Sequence, residues 1–416
     1  MDIATVQIQE SRLRQDLLDL ARFGEDQGRG ITRTALNDAD LAARQWFKER
    51  MRETGLKVYE DAAANLIGRM DSTVGPTDGP CIATGSHIDT VAQGGKFDGA
   101  LGICASLEAL RAIRESGLSL PCPLELLVFT DEEGSHFAGT FGSRAMFNLL
   151  QEGEMEKSRG TGMTNLAQDL KRMGKDPQKI GQVVRSPSEF RAFLEVHIEQ
   201  GPVLESMGIP IGVVEGIVHL GRYLVRVEGK TGHAGTTPMH LREDALVKAA
   251  GIITTVNEAI LSAGPEIVGT IGELRVHPGI INVIPGEVEM ALDLRSVKEA
   301  TLASVKKKIV EIVHSTDKAK IETIITKGGV KMDPGIMEAI ELSCRQRGIP
   351  FHRLWSGAGH DAMTFPTQHI PTGMIFIPCV GGKSHCPDEA IRFEDAATGA
   401  QVLADTLVRM AFKAEQ

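Results

Sequence analysis

Aromatic side chains are scarce in this 416-residue chain, at 4%, with two tryptophans and two tyrosines. Any core it builds must therefore be mainly aliphatic. Basic residues are in deficit, 45 Lys and Arg against 55 Asp and Glu, for a formal charge of −10. That balance argues against nucleic acid as the main partner, because phosphate recognition wants a basic surface. No apolar run reaches membrane-spanning length, so no membrane partner is expected. Residues 1–10 (MDIATVQIQE) lack the charged-then-apolar layout of a leader. Paired cysteine spacing is also missing. Cys81, Cys104, Cys122, Cys344, Cys379 and Cys386 are scattered, which predicts reduced thiols in a cytoplasmic protein and not a disulfide framework or zinc ribbon.

What is present is length enough for two domains and 42% hydrophobic residues to fill their cores. Residues 11–23 and 38–54 carry helical periodicity, the latter with Asp38 or Asp40 as N-cap. Residues 81–84 (CIAT) and 124–130 (LELLVFT) read as strands covered on both faces, with an Ala- and Leu-rich helix at 99–116 between them. Residues 191–196 and 371–377 read as further strands, and 334–346 and 394–411 as helices. Strands alternating with helices imply an α/β layer, here a mixed open sheet flanked by helices. Ligands of such sheets sit beyond the carboxyl ends of the strands. From about residue 212 the pattern changes. Strands at 222–228, 267–276, 287–295 and 321–326 and helices at 242–261 and 300–314 run in the order β-α-β-β-α-β, the ferredoxin-like arrangement. The expected architecture is a catalytic domain of residues 1–212 and 328–416, interrupted by an inserted α+β domain at 213–327.

Chemistry concentrates at four places. In residues 85–98 (GSHIDTVAQGGKFD), His87 and Asp89 lie two apart, so an extended backbone points both the same way. Asp98 follows the Gly94-Gly95 turn. His87 can bind a metal through one ring nitrogen while Asp89 accepts the N–H of the other. Asp131-Glu132-Glu133 comes directly after a buried strand. Neighbouring side chains point apart, so one glutamate can bind metal while the other moves a proton. His136 reads better as a surface or supporting imidazole than as a ligand. Alternation puts Glu195, His197 and Glu199 on one strand face, which makes His197 a third candidate ligand. His385 is a fourth, with Cys386 beside it. A nitrogen and oxygen set of this kind suits zinc, manganese, cobalt or nickel. Five ligands, one of them a shared carboxylate, would serve two divalent ions. On the insert, His233 stands in a Gly- and Thr-rich loop (229–239, GKTGHAGTTPM), Asn282 follows Pro278-Gly279, and Arg295 is either a fork for a carboxylate or a surface partner of Asp293. His360 and Asp361, in residues 356–363 (SGAGHDAM), would bind substrate or cap the next helix.

Taken together, GSHIDTV, GG-x-FDG-x-LG, DEEGS-x-F, HIEQGP, GHAGTTPM, SGAGHDAM and GG-x-SH occur in that order across nearly the whole chain. The set resembles the metal-dependent amidohydrolases that cleave ureido groups: N-carbamoyl-L-amino acid hydrolases, β-ureidopropionases and allantoate amidohydrolases. The resemblance implies a two-domain α/β fold, two divalent metal ions per subunit and a homodimer built through the inserted domain. It implies His87, Asp98, Glu133, His197 and His385 as ligands with Asp98 bridging, and Glu132 as general base. It implies His233, Asn282 and Arg295 as substrate contacts, some reaching the partner subunit's site, with Gln200 and His360 as further contacts. His233 would also hold the oxyanion. The implied reaction is hydrolysis of an N-carbamoyl-L-amino acid, with allantoate amidohydrolase or β-ureidopropionase as alternatives. A dipeptidase or aminoacylase is more distant, because those branches carry a carboxylate where this chain has His197. The residue after His385 is usually asparagine in the family, and here it is Cys386.

Overall fold

Four parallel strands organise the chemistry of this chain. In the computed structural model, which describes residues 6–158 and 163–412, they are Leu124–Phe129, Cys81–His87, Phe190–Ile198 and Thr372–Ile377, adjacent in that order. Their residues are buried almost without exception, the polar ones such as Ser86, His87, Glu125, Glu195 and His197 included. Antiparallel strands continue the sheet on both sides, Leu66–Met70 and Lys57–Glu60 on one and Ile211–Ile217 on the other, so the sheet is mixed. Residues 1–5, part of the stretch read above for a leader, lie outside the described residues.

The chain divides into two compact units. The first comprises Met1–Glu215, Lys331–Leu354 and His360–Gln416, the second Gly216–Val330 and Trp355–Gly359. In the first, the helix Ala100–Glu115 is buried along nearly its whole circumference, packed between the sheet and the helices Phe393–Ala411 and Glu10–Ala21. The core is mainly aliphatic, with one aromatic knot in which Phe365 stacks on Phe193 at 4.0 Å and meets Phe129, Phe147 and Phe190 edge-on. The helix Asp38–Glu53 is capped by Asn37, whose side chain accepts from the Asp40 N–H, and not by Asp38 or Asp40. Asp40 is instead buried beneath the helix, paired with Arg44 at 2.8 Å.

In the second unit the strands His219–Glu228, Ile267–His277, Glu287–Ser296 and Ala319–Lys327 alternate with the helices Ala245–Ser262 and Glu299–Ser315. The sheet order is Ala319–Lys327, His219–Glu228, Glu287–Ser296, Ile267–His277, antiparallel throughout. Tyr223, Val225, Val227, Val288, Met290, Leu292 and Leu294 point to one face and form a core with the two helices. The sequence shows no unbroken apolar run of membrane-spanning length, yet the helix Ala245–Ser262 has the length and mean hydropathy, 1.3, of such a span. Ala245, Ala249, Ile252, Val256 and Ile260 recur on its inner face and pack on the sheet. Leu246, Val247 and Leu261 stand exposed on its outer side.

Candidate metal centre

All five expected ligands leave the carboxyl ends of the four parallel strands or the loops just beyond them. His87 is the last residue of its strand. Its Nδ1 lies 3.0 Å from the Asp89 carbonyl oxygen, whereas the Asp89 carboxylate is 3.8 Å away. This corrects the expectation that the Asp89 side chain orients the ring. The carboxylate instead accepts the backbone N–H groups of Glu132 and Glu133, at 3.4 and 3.2 Å. Asp89 thus holds one loop by its carbonyl and a second by its side chain. Beneath it the fully buried Arg33 donates Nε to the Ile88 carbonyl at 2.7 Å.

His197 engages the Ile198 carbonyl through Nδ1 at 2.9 Å. The Nδ1 atoms of His87 and His197 therefore carry a proton, and their Nε2 atoms face Asp98 Oδ1 at 3.6 and 3.1 Å. Gly99 adopts φ +64°, and a Cβ there would lie 2.4 Å from the His87 ring, so glycine is required for the Asp98 loop to approach. On the other side, His385 Nε2 is 3.1 Å from Asp98 Oδ2 and 3.4 Å from Glu133 Oε1. Among the described residues four groups of ligand atoms result: His87, Asp98 and His197; Asp98, Glu133 and His385; His87, Glu132 and Glu133; and Glu195, His197 and His360. Asp98 is common to the first two. Glu132 Oε2 lies 3.7 Å from His87 Nε2.

The donor chemistry fits a pair of cations. Two imidazole nitrogens directed at one carboxylate oxygen call for positive charge between them, which ring protons or a metal ion can supply, and both rings have raised pKa values. The surrounding pocket buries Asp89, Asp98, Glu195 and Asp361 together. Burial, then Asp98, raises the Glu133 pKa to about 7. Burial raises that of Glu132 well above the usual range, with Glu133, Asp361 and Asp89 adding to it and His87 opposing. Burial works against the imidazolium of His87, but Glu132, Asp98 and the other carboxylates outweigh it and raise its pKa. His385, bonded to Asp98, is raised to about 9. The set is nitrogen and oxygen only; among the described residues Cys386 joins no ligand group.

Other expected residues fall in several places. Gln200 donates Nε2 to Asp98 Oδ2 at 2.6 Å, so it touches the centre. His360 is buried edge-on against His197, ring centroids 4.4 Å apart, and burial lowers its pKa well below the usual value. Asp361 does not cap the turn that follows; it accepts the Ser143 hydroxyl at 2.6 Å. Glu199 lies past the strand end and turns away to accept the N–H groups of Val203 and Leu204. His136 is buried, not on the surface, with its ring nitrogens 2.9 Å from Asp131 and 3.0 Å from Asp169. His233, Asn282 and Arg295 belong to the second unit. His233 pairs with Val283 in a separate two-stranded ribbon, and the Asn282 carbonyl accepts the Ala234 N–H. His233 and Asn282 therefore lie together on the segments that follow Glu228 and precede Glu287, two residues that pair with each other. Arg295 lies at the other end of those paired strands, bonded to Asp293 at 2.8 and 3.2 Å and to the Gly357 carbonyl at 2.6 Å.

Three side chains that the sequence reading did not assign to the site brace it. Glu195, noted there only for its strand face, accepts from Ser86 at 2.7 Å and from the Ala362 N–H at 3.0 Å. Ser384 and Glu389 bind the Asp98 loop. An apolar cavity of about 860 Å³, lined by Ile82, Phe190, Ile336, Leu342 and Val408 among others, opens at the amino ends of the parallel strands and contains none of the candidate residues.

Residues 83–409 match the model of peptidase family M20/M25/M40. The chain is 40% identical to an N-carbamoyl-L-amino acid amidohydrolase of Geobacillus stearothermophilus, over 97% of this chain and 99% of that one. It is 32% identical to an allantoate amidohydrolase of Escherichia coli, over 95% and 96%. Among solved structures, an amidase of the hydantoinase/carbamoylase family from Burkholderia multivorans superposes with a TM-score of 0.90 at 31% identity, covering 99% of this chain and all of the other.

Proposed function

Since the chain belongs to peptidase family M20/M25/M40, we propose that it is a metal-dependent amidohydrolase acting on the ureido C–N bond of an N-carbamoyl-L-amino acid. The observation that carries the reading is Asp98 shared by two ligand groups, with Glu132 outside those two and 3.7 Å from His87. His87, Asp98 and His197 would hold one divalent ion, and Asp98, Glu133 and His385 a second. The pair, when bound, would polarise the ureido carbonyl and make water acidic enough to attack near neutral pH.

The remaining steps fall to side chains. Glu132, with its raised pKa, takes a proton from the attacking water and delivers it to the leaving nitrogen. The C–N bond breaks to give the amino acid and carbamic acid, which falls to carbon dioxide and ammonia. Gln200 and His360 are proposed as substrate contacts. On the second unit, Arg222 and Arg295 share Asp293, which leaves net positive charge, and the outer edge of the Arg295 fork keeps N–H groups for a substrate carboxylate. His233 accepts the Gly235 N–H through Nδ1 at 3.0 Å, so its neutral form carries the proton on Nε2, and His233 is exposed. That N–H suits a developing oxyanion. Asn282 is proposed as its companion.

The insert is proposed to be a ferredoxin-like dimerisation and lid domain. Its two halves of substrate-binding chemistry support this. Arg295 lies eight residues along a strand from Glu287, about 26 Å in extended chain, while His233 and Asn282 flank the Glu287 end. A site using all three draws them from two copies. The exposed Leu246, Val247 and Leu261 of the helix Ala245–Ser262 supply an apolar face for such an interface. Six free thiols among the described residues support a cytoplasmic location.

Ammonia release tests the activity. Protein stripped of metal and reloaded with zinc, manganese, cobalt or nickel would be offered N-carbamoyl-L-amino acids, N-carbamoyl-β-alanine, allantoate and a dipeptide. Ion-dependent release from the N-carbamoyl-L-amino acids is expected. Release from allantoate alone would reassign the substrate, and cleavage of the dipeptide alone, which liberates no ammonia and is read as new free amino groups, would reject a ureido-cleaving enzyme.

A further inference from the structure

The three imidazoles of the centre are held very differently. His87 and His197 are 2% and 1% exposed, in or at the end of buried strands. His385 is 48% exposed, on a loop, with φ 55°, a backbone conformation that non-glycine residues adopt only when something fixes it. Packing therefore does not explain how His385 reaches Asp98.

Glu389 does. Its carboxylate is 3% exposed. Oε1 accepts the backbone N–H groups of Phe97 and Asp98, at 2.7 and 3.1 Å. Oε2 lies 3.0 Å from the Ser384 hydroxyl, which is also 2.9 Å from Asp98 Oδ2. Ser384 immediately precedes His385. One side chain thus closes a ring of bonds between two loops almost 300 residues apart in sequence. The loop sequence makes room for it: a Cβ on Gly95 would lie 2.1 Å from the Glu389 carboxyl carbon.

We propose that Glu389 is a positioning residue for the second ion, setting the geometry of Asp98 and His385 by tying their loops together. This rests on the two-ion reading above. The first ion's other ligands, His87 and His197, are held by their own carbonyl partners and by burial, so they need no such tie.

Cobalt(II) titration of the metal-stripped full chain, followed by visible absorption and by equilibrium dialysis, separates the two binding steps. Glu389→Ala should weaken the second step by about 10- to 100-fold, the range for losing a partner that orients ligands, and leave the first within about threefold. Glu389→Gln should restore the second step. Its oxygen still accepts both N–H groups, and its amide donates to Ser384, whose proton then serves Asp98. Gly95→Ala, which displaces the carboxylate without touching any ligand, should mimic Glu389→Ala and keeps the test open if that variant does not fold. Wild-type affinity for both ions in folded Glu389→Ala or Gly95→Ala would overturn the proposal. So would equal loss of both steps, or a Gln variant no better than Ala. A wild-type protein that takes up fewer than two ions would sink the two-ion reading itself, a failure visible before any variant is compared.

Discussion

At the scale of single residues, Glu132 and Glu133 show how one dipeptide divides its work. Their N–H groups share one acceptor, Asp89, and their carboxylates stay within 4.8 Å of each other while meeting different partners. Glu133 faces His385 and Asp98, and Glu132 faces His87 and the space beside it. Glu132→Gln removes the proton carrier and keeps the shape. It should retain ion stoichiometry and melting temperature while kcat falls by about 10²- to 10⁴-fold, measured by ammonia release. Asp89→Ala should do something else. It leaves two part-buried N–H groups without their acceptor, at a cost of up to about 1–3 kcal/mol in urea unfolding, and lowers kcat because both glutamates lose their seat. A variant as stable and active as the parent would deny Asp89 its part.

At the scale of elements, the loop carrying those glutamates is pinned from outside. His136 bridges Asp131, at the loop's start, to Asp169 on the helix Leu166–Arg172. Burial disfavours its imidazolium, but the hydrogen bonds to Asp131 and Asp169 outweigh this and raise its pKa above 6.5. A raised folded-state pKa contributes stability that is complete below 6.5 and is lost as pH rises through the raised value. The melting temperature of the parent should therefore exceed that of His136→Gln most at mildly acid pH, with the gap narrowing as pH rises. A gap that is constant or widens with pH would mean the clamp does not depend on the charged ring.

At the scale of the whole molecule, the proposed homodimer raises the question of which copy supplies His233. Mixed dimers answer it. Glu132→Gln retains His233, and His233→Ala retains Glu132. If the loop acts across the interface, co-refolding two inactive variants restores activity at one of the two sites. If it acts within one chain, the mixture stays inactive. Val247→Glu, on the exposed face of the helix Ala245–Ser262, should shift the sedimentation coefficient towards monomer. An unchanged dimer would place the interface elsewhere.

The sequence alone determined the four parallel strands, the long helices and the candidate ligands, but not the strands Ile211–Ile217 and Phe351–Ser356 or the helix Phe141–Met146. Buried strands announce themselves by near-continuous apolar runs, the alternation over Glu287–Ser296 holds in its burial, and histidines and carboxylates at strand ends stand out because such ends collect ligands. Tertiary structure decided the partners. Whether the His87 ring meets the carbonyl or the carboxylate of Asp89, whether His136 is buried, and that Glu389 seats a loop almost 300 residues away depend on distances of a few tenths of an ångström between segments far apart in the chain. Hydrogen bonds are short-ranged and directional, and periodicity along the chain carries no record of them.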